Sequence, residues 1–221
     1  MFICNICGNN KFGLGPGNRR SFDGISLPRC TKCQSLERHR ALRDFWLKLP
    51  LSFLGKKTVL QFSDDKSIEP NWFLKFEVSI FGGKNSIDIQ NIEYHDGSFD
   101  IVICNHVIEH VPNDKIALRE IYRVSSENGF VALSVPDPFH RKHTIDWGYP
   151  KIEEHGHYRI YGEDFNELLS MIFGYENYLR LVIQDPVTKS KDFLFLISKN
   201  NDLLSTLYEF NQISSKLEDF C

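Results

Sequence analysis

Residues Asp96–Pro136 read DGSFDIVICNHVIEHVPNDKIALREIYRVSSENGFVALSVP, and this stretch decides the fold. Phe99–Cys104 (FDIVIC) is a short continuous apolar run, the pattern of a strand buried on both faces. Lys115–Val124 (KIALREIYRV) places Ile116, Leu118, Ile121, Tyr122 and Val124 at the spacing of an amphipathic helix. Gly129–Val135 (GFVALSV) is a second buried strand, ended by Pro136. Strand, helix and strand in that order form a βαβ unit, so a parallel sheet is expected.

Upstream, Lys56–Phe62 (KKTVLQF) follows a Gly55 turn and reads as a buried strand. Phe76–Phe81 (FEVSIF) is another, ending in Gly82-Gly83, and Asn85–Ile89 is a candidate third. Downstream, Glu163–Ile172 has a helical pattern. Tyr178–Ile183 and Phe193–Ser198 are strands joined by QDPVTKSKD, short enough for a hairpin, and Asn201–Phe220 is read as a peripheral helix. The expected fold is α/β, with a mostly parallel sheet finished by an antiparallel hairpin. The expected division is 1–35 for a small metal module, 36–54 for a linking helix, 55–200 for the main domain and 201–221 for the C-terminal helix.

The metal module rests on Cys4-x2-Cys7 and Cys30-x2-Cys33, separated by 22 residues. Two such turns bring four thiolates around one ion, and four sulfurs leave no open position, so structural zinc is expected. Gly8, Gly13, Gly15, Pro16 and Gly17 mark turns between the pairs. Thiols used in this way belong in a reducing compartment, and a cytoplasmic location is expected. MFICNIC lacks the basic and apolar regions of a secretory signal. No apolar run approaches the roughly 18–20 residues of a membrane span. The 221 residues carry 26 Lys and Arg against 29 Asp and Glu, a net charge of −3 that does not favour a nucleic-acid-coating protein. Residues 1–50 nevertheless hold nine Lys and Arg against three Asp and Glu. A basic head of this kind suits phosphate, an acidic partner, or the acidic body of its own chain. Leu36, Leu42, Phe45, Trp46 and Leu49 give the helix after Cys33 an apolar face, and Arg38, His39 and Arg40 are read chiefly as its solvated side.

The Asp96–Pro136 block resembles the middle of the class I S-adenosylmethionine-dependent methyltransferase family, of the methyltransferase type 11 kind. The resemblance lies in Phe99-Asp100, the Asn105–His110 loop, Arg123-Val124 and Asn128-Gly129. DWGYP at Asp146–Pro150, HGHYRIYGEDF at His155–Phe165 and CxxCxSLERHR at residues 30–40 are similar to a subgroup bearing an N-terminal zinc ribbon. The resemblance implies a Rossmann-like sheet and S-adenosylmethionine as donor. It puts the donor against Phe62, Ser63, Gly82, Gly83, Asp88, Ile89, Asn105 and His106, with Asp88 at the position of an acidic residue beside the adenine amino group. The sequence departs from the family after its first strand. VLQFSDDKSIEP has no glycine where a Gly-rich loop is usual, and FEVSIFGG lacks the usual acidic residue.

His106, Glu109 and His110 follow the FDIVIC strand, where open α/β sheets bind ligands. A helix starting near His106 would set all three on one face. Their first reading is pocket wall. The second is a divalent metal at His106, Glu109 and His110, with His155 or His157 as a further ligand, for which some methyltransferases with an ExxEH segment give a precedent. Methyl transfer to a hydroxyl needs alignment and removal of a proton, for which His106 and then His157 are the candidate bases. His110, Tyr158, Arg159 and Tyr161 are expected on the acceptor side. The expected acceptor is oxygen or nitrogen of a small molecule or glycan. The alternatives are an RNA methyltransferase and a degenerate methyltransferase fold used as a binding or scaffold module.

Overall fold

A computed structural model describes residues 2–136 and 138–218, so the end of the expected tail helix lies outside the described residues. In chain order, strands β1 (Phe12–Gly13) and β2 (Arg29–Cys30) form a small antiparallel pair. Helices α1 (Glu37–Leu47) and α2 (Leu51–Leu54) follow, then β3 (Thr58–Phe62), β4 (Lys75–Ser79) and β5 (Phe99–Asn105). Helix α3 (Asp114–Val124) leads to β6 (Ser125–Ser134), and β7 (Ile145–Lys151) pairs with β8 (His157–Ile160). The chain ends with α4 (Phe165–Phe173), β9 (Tyr178–Gln184), β10 (Lys191–Ile197) and α5 (Asn201–Glu218).

Six strands make the central sheet in the order β4-β3-β5-β6-β10-β9. The first four are parallel, and β10 and β9 form the expected antiparallel hairpin. Residue alternation explains why the strands read as continuous apolar runs. Leu60, Phe62, Val102, Cys104, Val131 and Leu133 pack on one face with Leu118 and Ile121 of α3 and Leu169 of α4. Val59, Ile101, Ile103, Phe130 and Ala132 point to the other face, against Phe45 and Trp46 of α1 and Leu204 and Leu207 of α5. Both faces are covered, which is the condition for a parallel sheet. No helix among the described residues is long and apolar enough to cross a membrane.

The residues that carried the family resemblance turn out to be structural anchors. Asp100 Oδ2 accepts from the Thr58 amide at 2.8 Å and the Thr58 hydroxyl at 2.9 Å, pinning β3 to β5. Arg123 donates to the carbonyls of Ile92 and Tyr94 and to Glu120 and Asp96, fastening α3 to the segment before β5. A Cβ at position 129 would collide with the Asp100 carbonyl oxygen, so only glycine lets β6 come alongside β5 at its bulge.

One expected strand is corrected. Asn85–Ile89 is not a strand but a chain of turns. Asp88 Oδ1 accepts from the Gln90 amide at 2.8 Å and the Ser79 hydroxyl from the Ile87 amide at 2.9 Å, so side chains satisfy the backbone that a ladder would have used. β4 is therefore the edge strand. Ile145–Lys151 and His157–Ile160, to which the sequence reading assigns no element, form a hairpin whose first strand is almost wholly exposed and so lacks any hydrophobic alternation. The connection from β3 to β4 contains only a single 3-10 turn, Pro70–Trp72, with no α-helix.

Candidate active site and cysteine cluster

The β1–β2 pair sets Phe12 opposite Cys30 and so closes the two CxxC turns on each other. Cys4 and Cys33 sulfurs lie 3.7 Å apart, those of Cys7 and Cys30 3.5 Å apart, and all four fall within 4.8 Å of one another. A tetrahedral ion with Zn–S bonds of about 2.3 Å requires sulfur–sulfur edges of about 3.8 Å. Disulfides are far shorter, at about 2.0 Å. The cluster thus fits a zinc ion, and Asn9 Nδ2 adds a donor to the Cys30 sulfur at 3.4 Å.

Helix α1 packs on β9 and β10, and both it and the ribbon are tied to the loop after β3. Lys66, in the loop after β3, donates to the Cys33 carbonyl at 2.9 Å. Arg43 of α1 donates to the Ser67 carbonyl at 3.4 Å, pairs with Glu69 at 2.9 Å and stacks over Trp72. Arg40, read from sequence as solvated, is completely buried and paired with Asp185 in the β9–β10 turn. Arg19 pairs with Glu37. The positive head thus spends much of its charge on its own domain.

Burial, reinforced by the Arg38 charge, brings the His39 imidazole down to about 4 from 6.5. Its Nδ1 accepts from the Leu36 amide at 2.9 Å and caps α1, which requires the neutral ring. Because the folded value is depressed, the unfolded chain takes up this proton first. The stabilisation is present above about pH 6.5 and lost as pH falls toward 4. The full shift corresponds to about 3 kcal/mol, and screening at a half-buried ring reduces this to about 1–2 kcal/mol. Urea unfolding at pH 7 and 4.5 should show that much less pH sensitivity in His39→Gln; identical slopes would remove His39 from this role.

At the strand ends, a hydrogen-bond chain joins three elements. Asn105 Nδ2 donates to Asp65 Oδ2 at 2.8 Å, and the Ser134 hydroxyl donates to Asn105 Oδ1 at 3.0 Å. The His106 amide donates to the Ser134 carbonyl, and the Ser63 amide to the Ser79 carbonyl. Ser63 and His106 both adopt left-handed backbone, with φ of 69° and 53°. The turns that glycine would make freely are here made by a serine and a histidine, at about 1–3 kcal/mol each. Such outliers gather at functional sites, and these two stand at the ends of adjacent strands.

The remaining sequence candidates separate. Phe62 and Ile89 are buried in the core below this edge. Gly82, Gly83 and Asp88 are exposed in the turns after β4. Tyr158 is half-buried. Arg159 and Tyr161 were expected to line the acceptor side, and the structure instead commits them to the interior. Arg159, 3% exposed, donates to the carbonyls of Ile108, Val111 and Pro112 and to Asp146, while the Tyr161 hydroxyl donates to Asp114.

His106, Glu109 and His110 do not share a helical face. Residues Ile108–His110 form a 3-10 turn entered from the left-handed His106, which leaves that ring beside Glu109 but outside the cluster that Glu109 forms with His110. His106 Nδ1 lies 3.8 Å from Glu109 Oε1, and its Nε2 is buried without a partner. Both Glu109 oxygens are likewise buried and unpartnered. His157, reaching in from β8, takes the place expected of His106 beside Glu109 and His110. Burial holds His106 well below its ordinary range, pushes Glu109 up to about 8 and brings His157 down to about 4. Sequence reasoning missed Asp65, Lys66, Arg43 and Ser134. An acidic pair, Asp64-Asp65, directly after a buried strand was the one available signal.

Two surface clefts, about 450 and 310 Å³, lie at the opposite edge of the sheet, around Tyr178 and Leu204 and around Asn128 and Lys199. They are remote from the strand ends described above.

Residues 54–178, more than half of the chain, match the methyltransferase domain family. No curated protein matches the sequence. Among solved structures, a Bacillus halodurans C-125 protein assigned as a methyltransferase is 16% identical with a TM-score of 0.50, over 72% of this chain and 98% of its own. An S-adenosylmethionine-dependent methyltransferase of Thermotoga maritima is 15% identical with a TM-score of 0.45, over 74% and 91% of the two chains. The 1,6-didemethyltoxoflavin-N1-methyltransferase of Burkholderia thailandensis, solved with bound 1,6-didemethyltoxoflavin and S-adenosylhomocysteine, is 14% identical with a TM-score of 0.44, over 72% and 77%. At 16% identity the first of these speaks for the fold.

Proposed function

Because the chain belongs to the methyltransferase domain family, we propose that it moves a methyl group from S-adenosylmethionine to oxygen or nitrogen of a small molecule or glycan, with structural zinc at Cys4, Cys7, Cys30 and Cys33. The observation that carries this reading is the coincidence of the family match with the strand order, which puts Ser63, Ser79 and His106 along one carboxyl edge of the sheet.

The residues at that edge suit a nucleoside-bearing donor. Asp88 is an exposed carboxylate whose segment is tied to the end of β4 through the Ser79 hydroxyl. Gln61 Oε1 and His106 Nε2 are buried polar atoms without partners, which favours a ligand that supplies them. The donor would contribute an activated methyl on a sulfonium centre. The chain's own task is then alignment and control of one proton. Asn105, fixed between Asp65 and Ser134, holds the β5 end in place. His106 is uncharged at neutral pH, so its free nitrogen accepts a proton or orients a hydroxyl. Its depressed basicity makes it a weak base, better matched to an acidified acceptor than to a plain alcohol.

A second reading, a binding or scaffold module without catalysis, is favoured by the loop after β3. That loop has no glycine and no α-helix, and it is fastened to the ribbon through Lys66 and Arg43. The two readings separate at Asp88. If the donor binds as proposed, Asp88→Ala weakens S-adenosylmethionine about tenfold by equilibrium dialysis, in line with losing a charged hydrogen bond. An unchanged dissociation constant takes Asp88 out of the site.

A further inference from the structure

We propose that Glu109, His110 and His157 form a second metal centre, chemically distinct from the cysteine cluster, which takes one divalent transition-metal ion. One ligand atom from each residue lies within 4.8 Å of the others. Bonds of about 2.0–2.2 Å to an ion need such atoms roughly 3–3.5 Å apart, a distance that side-chain adjustment reaches. Glu109 is 1% exposed and neither of its oxygens has a hydrogen-bond partner. A buried carboxylate left this way is costly, and a cation between it and two imidazoles removes the cost. The His110 and His157 rings stand 4.5 Å apart and nearly perpendicular, at 89°.

The support around the three residues is specific. Arg159 sits on β8 two positions after His157 and donates to the Ile108, Val111 and Pro112 carbonyls at 3.2, 2.8 and 2.9 Å. It thereby bolts the turn carrying Glu109 and His110 to the strand carrying His157. Asp146 of β7 and Asp114 of α3 hold the guanidinium from the other side, at 3.0 and 3.5 Å. This gives the buried arginine a role as the positioning residue for the ligand set, the kind of outer support that metal sites require. His110 is exposed, so the ion would keep an open side. Two nitrogens and one oxygen suit Zn, Fe(II), Mn or Co rather than Mg or Ca. The site uses none of the proposed donor-binding residues, so metal binding and donor binding can be tested apart.

The test is a titration of the zinc-loaded full chain with cobalt(II), read by visible and near-ultraviolet absorption and by metal content. The expected result is one additional equivalent, bound saturably, with ligand-field bands and no thiolate-to-cobalt charge transfer. Glu109→Gln, which keeps the size of the side chain, and His157→Ala should each weaken this binding at least tenfold while melting cooperatively. Three results would overturn the proposal. They are no saturable second equivalent, cobalt seen only with thiolate charge transfer, or full binding retained in both folded variants.

Discussion

Arg40→Ala is expected to cost about 3–5 kcal/mol of folding stability, the range for removing one partner from a fully buried ion pair. Arg40 and Asp185 are both completely inaccessible, and two hydrogen bonds of 2.8 and 2.7 Å join them across 145 positions of sequence. Arg40 also donates to the Ser35 carbonyl at 3.0 Å, next to the second cysteine turn. Asp185 accepts from the amides of Val187 and Thr188 and from the Thr188 hydroxyl, so its charge organises the β9–β10 turn as well. Without the guanidinium, this carboxylate is stranded. Guanidinium chloride unfolding of Arg40→Ala, Asp185→Asn and the double variant would measure this. The double variant should lose less than the sum of the two single variants, because neither charge is then left alone. A cost below about 1 kcal/mol for Arg40→Ala would mean that water reaches the pair.

Cys30→Ser should have a comparable effect through a different route. Metal analysis is expected to show loss of the ribbon zinc, because three thiolates with a hydroxyl no longer complete the tetrahedral set. Structural zinc contributes about 10–16 kcal/mol of apparent binding energy in small zinc modules, and much of that is folding energy. Residues 1–35 should then become the first site of protease cleavage. The effect should spread to the strand edge, since the Cys33 carbonyl holds Lys66 and α1 holds Ser67. Unchanged zinc content in this variant would contradict the ribbon account.

What could be read from sequence follows from how each feature is encoded. The sheet was legible because both of its faces are buried, which turns FDIVIC and GFVALSV into apolar runs. α3 was legible because its two sides differ, with Leu118 and Ile121 in the core. Cysteine spacing carried the ribbon because a CxxC turn is a local geometric requirement. The β7–β8 hairpin was not legible, since an exposed pair of strands leaves no alternation. The third strand was over-read from Ile87 and Ile89, whose neighbours Ser86 and Asp88 make turn hydrogen bonds instead. At the site, Glu109 and His110 were legible as a motif, but a helix was assumed where a 3-10 turn stands. That difference leaves His106 beside Glu109 but outside the cluster of Glu109, His110 and His157. Arg159 was assigned to the acceptor side as a near neighbour of the candidate base His157. Its five hydrogen-bonding and ion-pair partners come from three other segments, which no local pattern records.

The central claim is that a methyltransferase-family chain keeps a working donor site although its first loop has no glycine. Calorimetric titration of the zinc-loaded protein with S-adenosylhomocysteine tests it most directly. The account predicts saturable binding with a stoichiometry of one per chain. No heat of binding at millimolar ligand, in protein that melts cooperatively, would contradict it and leave the fold as a binding module.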